Sequence, residues 1–105
     1  NGGSMALHSR NFKMIDLKPG HIINEYSMAT PHPVFGPKWF ASYLVIERCK
    51  AINGYKPAYK CMCLYNAVES DMKVAPGDLT TLVKEWITDR KTSINKCWPT
   101  FWEVT

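Results

Sequence analysis

Two runs rich in β-branched, aromatic and other apolar residues flank the dipeptide Asn53-Gly54. The first run spans 39–52 and the second spans 55–66. Asn and Gly both tolerate positive φ, which the tight type I′ turn of a two-residue hairpin requires. The pattern therefore predicts a long two-stranded ribbon built around this turn.

Within the ribbon, the two-residue period of a strand predicts which side chains share a face. The first strand is apolar on both faces, which is typical of a strand that is covered on both sides over part of its length. Its two predicted faces are Ala41, Tyr43 and Val45, and Phe40, Leu44 and Ile46. In the second strand one predicted face holds Tyr59, Cys61, Cys63 and Tyr65, and the other holds Lys60, Met62 and Leu64. Lys60 and Tyr65 are therefore predicted on opposite faces.

Ahead of the ribbon the chain predicts one further strand. Positions 1–5 have the composition of a cloning remnant and 6–13 that of a flexible basic arm, so the predicted domain covers 14–105. The tripeptide Lys18-Pro19-Gly20 predicts a turn. Imperfect alternation over 21–30 favours a strand, with a short helix as the alternative.

The segment 30–38 predicts an extended loop. Three prolines and Gly36 remove backbone donors and restrict φ, so no regular element fits. The loop carries Phe35 and Lys38, and loops mounted on a rigid sheet often carry binding residues. The alternative role of Phe35 is to plug the edge of the core.

The segment 78–89 is ambiguous. Its apolar residues recur at the helical period and Asp78 suits an N-cap, which favours a helix. A strand is the alternative, because Leu79, Thr81 and Val83 also alternate with Thr80 and Leu82. After it, 90–95 predicts a basic polar turn and 96–104 a last strand interrupted by Pro99.

Composition fits a single folded domain. The 105 residues are 46% hydrophobic, with four Trp, five Tyr and four Phe, and no apolar run reaches the ~20 residues that span a membrane. The net charge of +4 permits a polyanionic partner without demanding one. Single-stranded nucleic-acid binders combine lysines along the backbone with aromatic faces stacked on bases. Against this, a small β domain uses most of its Trp and Tyr in its own core.

Sequence motifs give no support for catalysis or metal binding. The chain lacks a Gly-rich phosphate loop, a Gly-x-Ser-x-Gly motif and a His-Glu-x-x-His motif, so an enzyme and a small-molecule substrate are not expected. The four cysteines lack the paired spacing of a structural zinc site, although Cys61 and Cys63 could form half of one. We expect reduced, half-buried thiols, no metal and no cofactor.

Several short motifs occur in a suggestive order. Leu17 to Tyr26 reads Leu-Lys-Pro-Gly-His-Ile-Ile-Asn-Glu-Tyr, followed by the Pro-rich loop, and later come Ser42 to Glu47, Cys63 to Asn66 and Pro76 to Leu79. In this order they resemble the first four strands of telomere end-binding OB-folds, those of the protection-of-telomeres family. In that family Leu-Lys-x-Gly leads into Ile-x-Asn-x-Tyr. The chain departs from the family pattern at Lys38 and Glu47, where the family has Asp.

The resemblance implies a mainly β, five-stranded OB-like barrel over 14–105. It implies a nuclear module that binds single-stranded DNA at chromosome ends or in replication and repair. By the same resemblance Tyr65 matches a stacking aromatic, and Phe35, Lys38 and Trp39 flank the binding groove; we place Lys60 at its rim. The alternative function is an OB-like or chromo-like protein-interaction module that binds a peptide or a partner subunit.

Overall fold

A computed structural model of the protein describes residues 15–28, 37–51, 56–67 and 73–105. The described chain is mainly β, with five strands, a single 3₁₀ turn and a short α-helix. The strands are β1 (Ile22–Ser27), β2 (Trp39–Lys50), β3 (Pro57–Asn66), β4 (Leu79–Val83) and β5 (Thr100–Val104). The 3₁₀ turn covers Lys84–Trp86, and helix α1 covers Arg90–Asn95.

The five strands form one antiparallel sheet in the order β4-β3-β2-β1-β5. The first four strands follow one another as a meander, and β5 returns to pair with β1. In a Greek key the strand after a three-stranded meander returns beside the first. Here the meander is one strand longer before the return occurs.

The predicted ribbon is confirmed as β2 and β3. The backbone N–H of Ala51 donates to the carbonyl of Lys56 at 3.0 Å, which closes the end of the pair. The Asn53-Gly54 turn itself lies outside the described residues. The predicted turn at Lys18-Pro19-Gly20 is also confirmed: Gly20 has a φ of +92°, a conformation in which a Cβ would be strained.

The helix predicted over 78–89 is wrong. Leu79–Val83 forms strand β4, whose backbone groups pair with β3 from Ala58 to Met62. The apolar residues at the helical period do not share a face, because Ile87 is fully buried whereas Leu79 and Trp86 are 54% and 53% exposed. The alternative strand interpretation is the correct one for this stretch.

The predicted turn over 90–95 is wrong as well, because Arg90–Asn95 is helix α1. Asp89 caps it by accepting a hydrogen bond from the Thr92 backbone N–H at 2.8 Å. Beneath the helix the hydroxyls of Thr88 and Ser93 lie 2.7 Å apart and are both buried. The strand predicted after it is confirmed, but it begins after Pro99 rather than continuing through it.

The core lies on one side of the sheet. Its buried members include Ala41, Tyr43 and Val45, as the alternation of β2 predicts. The other members come from every strand and from the segments before β1 and after β4: Leu17, Ile23, Tyr59, Cys61, Cys63, Leu82, Ile87 and Trp102.

Three register shifts bend the sheet. One falls between Glu25 and Tyr26 in the β1–β2 pair, and the other two fall after Ser42 and after Val45 in the β2–β3 pair. Bulges of this kind increase local twist and bend the strand that carries them. The backbone N–H of Trp102 donates to the Thr88 carbonyl at 2.8 Å, which links β5 to the chain that follows β4. In the described chain β4 and β5 themselves do not pair, so the sheet is not closed into a barrel.

Candidate nucleic-acid interface

The side of the sheet opposite the core, which we call the outer face, carries ordered rows of side chains. Directly opposed residues in a sheet share a face, so the strand register defines each row. One row is aliphatic and crosses four strands: Ile22, Leu44, Met62 and Leu79. The next row is polar and aromatic: Glu103, Asn24, Ser42 and Tyr65. A third row holds Trp39, Tyr26 and Phe101.

The position of Tyr65 corrects the two-residue prediction for β3. Tyr43 pairs with Cys63, but the adjacent Ser42 pairs with Tyr65, so Leu64 is an extra residue in β3. The bulge turns Tyr65 onto the outer face, whereas Tyr59, Cys61 and Cys63 are buried in the core as predicted. Tyr65 and Lys60 therefore lie on the same face of the sheet.

Trp39 and Tyr65 form an exposed stacked pair. Their ring centroids are 4.1 Å apart with the ring planes inclined by 30°. Trp39 keeps 46% of its surface exposed and Tyr65 keeps 37%. The indole N–H of Trp39 donates to the Ser42 hydroxyl at 2.9 Å and to the Ala41 carbonyl at 3.2 Å. These bonds fix the plane of the indole, so that the pair offers solvent a pre-positioned aromatic surface.

A polar network lies beside the stacked pair. The Ser42 hydroxyl donates to the Asn24 side-chain oxygen, and the Asn24 amide donates to the Thr105 hydroxyl. Ser42 is buried beneath the rings, while Asn24 is half-buried at the centre of the row. The network holds the amide of Asn24 in one orientation next to the aromatic surface.

The aromatic surface continues across β1 towards helix α1. Tyr26 pairs in register with Trp39 on one side and with Phe101 on the other. The rings of Tyr26 and Phe101 stack with centroids 5.3 Å apart. Burial, with a smaller contribution from Glu103, raises the pKa of the Tyr26 hydroxyl. The Arg90 guanidinium lies 5.4 Å above the Phe101 ring and covers that end.

The structure brings some of the predicted binding residues together and separates others. Lys38 is exposed and directly precedes Trp39, and its carbonyl accepts from the Ser27 N–H at 2.8 Å. Lys60 lies on the outer face opposite Glu47 and Thr81, five residues from Tyr65 along β3. At ~3.3 Å per residue that separation is about 16 Å, so Lys60 is at the far side of the face. Phe35 lies outside the described residues.

Tyr26, Asn24 and Ser42 belong to this surface but were missed by sequence reasoning. The signal for Asn24 and Tyr26 is their two-residue spacing on β1, which places them on one face. Ser42 has no comparable signal, because its role depends on the register between β2 and both of its neighbours.

A second polar cluster closes one end of the core. The Asp16 carboxylate lies 3.4 Å from the Lys84 ammonium and 3.6 Å from the Arg48 guanidinium. Lys84, by hydrogen bond and charge, lowers the pKa of Asp16, and Arg48 adds to the effect. A cavity of about 290 Å³ adjoins this cluster and is also lined by Tyr59 and Cys49. Because Asp16 satisfies both cations, the cluster ties segment 15–17 to the sheet.

The cysteines are all free thiols. Cys61 and Cys63 are buried, Cys49 is half-buried and Cys97 is exposed. Burial raises the pKa of Cys61 to about 12, and it also raises the pKa of Cys63. Among the described residues, no group of three or more His, Cys, Asp or Glu side chains could hold a metal ion.

None of the helices in the described ranges has the length and apolarity needed to cross a membrane. Comparison of the chain with protein-family models, with curated proteins and with solved structures finds no match.

Proposed function

We propose that the protein binds single-stranded DNA across its outer face. The observation that carries the proposal is the exposed Trp39–Tyr65 stack, which is held in place from below and directly follows the exposed Lys38. Single-strand binders need aromatic faces for the bases and nearby cations for the phosphates. We infer that Tyr65, Trp39 and Tyr26 form the stacking surface and that Lys38 contacts the backbone.

The arrangement lowers the entropic cost of ordering the aromatic side chains when a base binds. Because Trp39 and Tyr65 already stack on each other, their orientation is set before a base arrives, which reduces the entropy lost on binding. Tyr26 lies one strand away from Trp39, about 4.8 Å across the sheet. An extended strand running across β3, β2 and β1 would meet the three rings in succession, with the Asn24 amide available to a base edge.

For the fold, we propose a partly open barrel of the OB-like kind, with its meander extended by one strand. The support is the three register shifts, since bulges bend the strand that carries them, and the Trp102–Thr88 hydrogen bond between β5 and the chain that follows β4. OB-folds are partly open barrels that bind oligonucleotides on one sheet face. A role at chromosome ends, or in nuclear replication and repair, follows from the sequence resemblance and is part of the same proposal.

The test is a titration of labelled single-stranded oligonucleotides with the wild-type chain and with Tyr65→Ala. Loss of a stacked base costs about 1–3 kcal/mol, so affinity should fall about 5- to 150-fold. The melting temperature should change little because Tyr65 is partly exposed. Trp86→Ala is the matched control, since it removes an exposed aromatic side chain that is not part of the rows described on the outer face. Unchanged DNA affinity in a folded Tyr65→Ala protein would contradict the proposal.

Salt dependence tests the part played by lysine. Replacing Lys38 by Gln should weaken binding to all sequences and reduce the slope of log K against log salt by about one. Lys60→Gln should reduce it similarly only if the strand extends along β3 to the far side of the face. The two variants together therefore map the path of the backbone.

The aliphatic row favours a second function, a protein-interaction module. Ile22, Leu44, Met62 and Leu79 form an apolar stripe across four strands, and Leu79 is largely exposed. A partner subunit covering this stripe would bind through apolar burial and would show little salt dependence. Leu79→Asp would then abolish partner binding while leaving single-strand affinity intact.

A further inference from the structure

A second aromatic groove lies away from the outer face, where the 3₁₀ turn meets the start of β5. It is a shallow site, open to solvent, of about 370 Å³, and is lined by Trp86, Trp98, Pro99 and Thr100. Trp86 is exposed even though its neighbour Ile87 is fully buried, so the turn directs one side chain inward and presents the other to solvent. Two indoles and a proline ring give this groove a mainly apolar lining, to which Thr100 adds a polar side chain.

The groove also offers hydrogen-bond donors. In the part of the chain that the structure describes, the indole N–H groups of Trp86 and Trp98 make no hydrogen bond. The indole N–H is a donor only, so it suits a ligand that brings carbonyl oxygens. A polyproline II segment has that character, because its backbone carbonyls are not used internally and face outward.

Positive charge borders the groove on the side of helix α1. The Lys96 ammonium lies 4.7 Å from the centre of the ring of the lining residue Trp98. Lys91 is exposed on the same helix. The only carboxylate next to a groove residue in sequence is Glu85, and it is paired with Lys56 at 2.6 Å. The flank of the groove therefore complements an acidic ligand.

From these features we infer that the Trp86–Trp98 groove binds a proline-rich peptide segment that carries acidic residues beside its prolines. Proline rings pack on the two indoles, the indole N–H groups donate to peptide carbonyls, and Lys96 attracts a flanking carboxylate. Aromatic grooves recognise proline-rich segments in this way because the ligand is already extended and loses little entropy on binding. The inference is independent of DNA binding on the outer face.

The test is a titration of the full chain with a synthetic oligoproline peptide that has glutamates at both ends, followed by tryptophan fluorescence and by the indole N–H signals in NMR spectra. We expect saturable binding that shifts the indole signals of Trp86 and Trp98 and not that of Trp39. Trp86→Ala should weaken binding at least about tenfold, as for a Trp at the centre of an interface. Lys96→Gln should weaken it less and reduce its salt dependence.

Two controls make the result decisive. The same peptide with lysines in place of glutamates should bind several-fold more weakly, and Trp39→Ala should bind the glutamate peptide like the wild type. Equal affinity for the two peptides, or perturbation of Trp39 alone, would overturn the inference. If single-stranded DNA displaces the peptide and Trp86→Ala lowers DNA affinity, the groove is part of the nucleic-acid surface instead. The indole signals are read in the wild-type chain, so the test does not depend on the folding of any variant.

Discussion

At the scale of single residues, Tyr59 links the core to the segment that precedes β1. Its ring is buried, and its hydroxyl accepts a hydrogen bond from the Leu17 backbone N–H at 3.2 Å and lies 3.5 Å from the Asp16 carboxylate. Leu17 is itself fully buried, so its N–H has no access to water. Such a donor needs its acceptor, because an unsatisfied buried donor is costly.

Tyr59→Phe should therefore destabilise the protein by about 1–3 kcal/mol, since the Leu17 N–H loses its acceptor while the ring packing is kept. The measurement is denaturant unfolding of both proteins. Tyr65→Phe is the control: its hydroxyl is on the exposed outer face, and the change should stay within about 0.5 kcal/mol. Equal stability of Tyr59→Phe and wild type would show that water replaces the lost hydroxyl.

Sequence reasoning predicted inward-facing residues better than residues of the candidate site. Alternation correctly assigned Ala41, Tyr43 and Val45 to the core, because burial of a strand face imposes a period of two. It assigned Tyr65 to the same side as Cys63, which is wrong. Neither the composition nor the hydrophobic period of the strand indicates a bulge at Leu64, because the bulge depends on how β2 and β3 pair.

At the scale of elements, two segments differ from what local pattern predicted: the favoured helix over 78–89 contains strand β4, and the predicted turn over 90–95 is helix α1. Thr80, Thr81 and Val83 are β-branched and fit a strand, and the vacant edge of β3 pairs with their backbone groups. The helix forms instead at Arg90–Asn95, where only a cap and buried hydroxyls favour it. Tertiary pairing decided the first outcome and side-chain capping the second, and neither is visible in hydrophobic periodicity.

The cap of α1 gives a direct test. Asp89→Ala removes the acceptor for the Thr92 N–H and should destabilise the protein by about 0.5–2 kcal/mol. Asp89→Asn is the matched control, because asparagine caps nearly as well and should retain most of the stability. Thermal unfolding of the three proteins provides the comparison. A stability of Asp89→Ala equal to that of Asp89→Asn would mean that the six-residue helix is held by packing alone.

At the scale of the whole molecule, the positions of the charged side chains are more informative than the net charge. The net charge of +4 is modest, yet Arg48 and Lys84 are directed onto Asp16, and Lys56 pairs with Glu85. Those pairs hold segment 15–17 and the 3₁₀ turn against the sheet. Lys38 and Lys96 lie next to exposed or half-exposed tryptophans, at the two surfaces for which binding is proposed.

The Asp16 cluster predicts how stability responds to acid. Because Lys84 holds the pKa of Asp16 below its ordinary 3.8 in the folded state, the stabilisation is present above that value. It is lost as pH falls through the lower folded-state pKa. Asp16→Asn should therefore lower the melting temperature slightly at neutral pH, and the difference from wild type should disappear at pH values below the folded-state pKa. A difference that persists unchanged in strong acid would assign the effect to something other than the charge of Asp16.

The bulge at Leu64 determines which mutations of β3 would change the faces on which its side chains lie. The extra residue Leu64 reverses the inward–outward alternation of β3 after Cys63. The same strand therefore places cysteines in the core and, beyond the bulge, an aromatic ring on the outer face. Substitutions would alter one side chain at a time and leave that division intact. Loss of the Leu64 codon would convert the bulge into regular pairing and leave Tyr65 opposite Ser42, because in a regular strand the residue after the inward Cys63 faces outward. The inward cysteines and the outward Tyr65 therefore keep their faces whether or not the extra residue is present, whereas deletion of a regularly paired residue between Cys61 and Cys63 would exchange them.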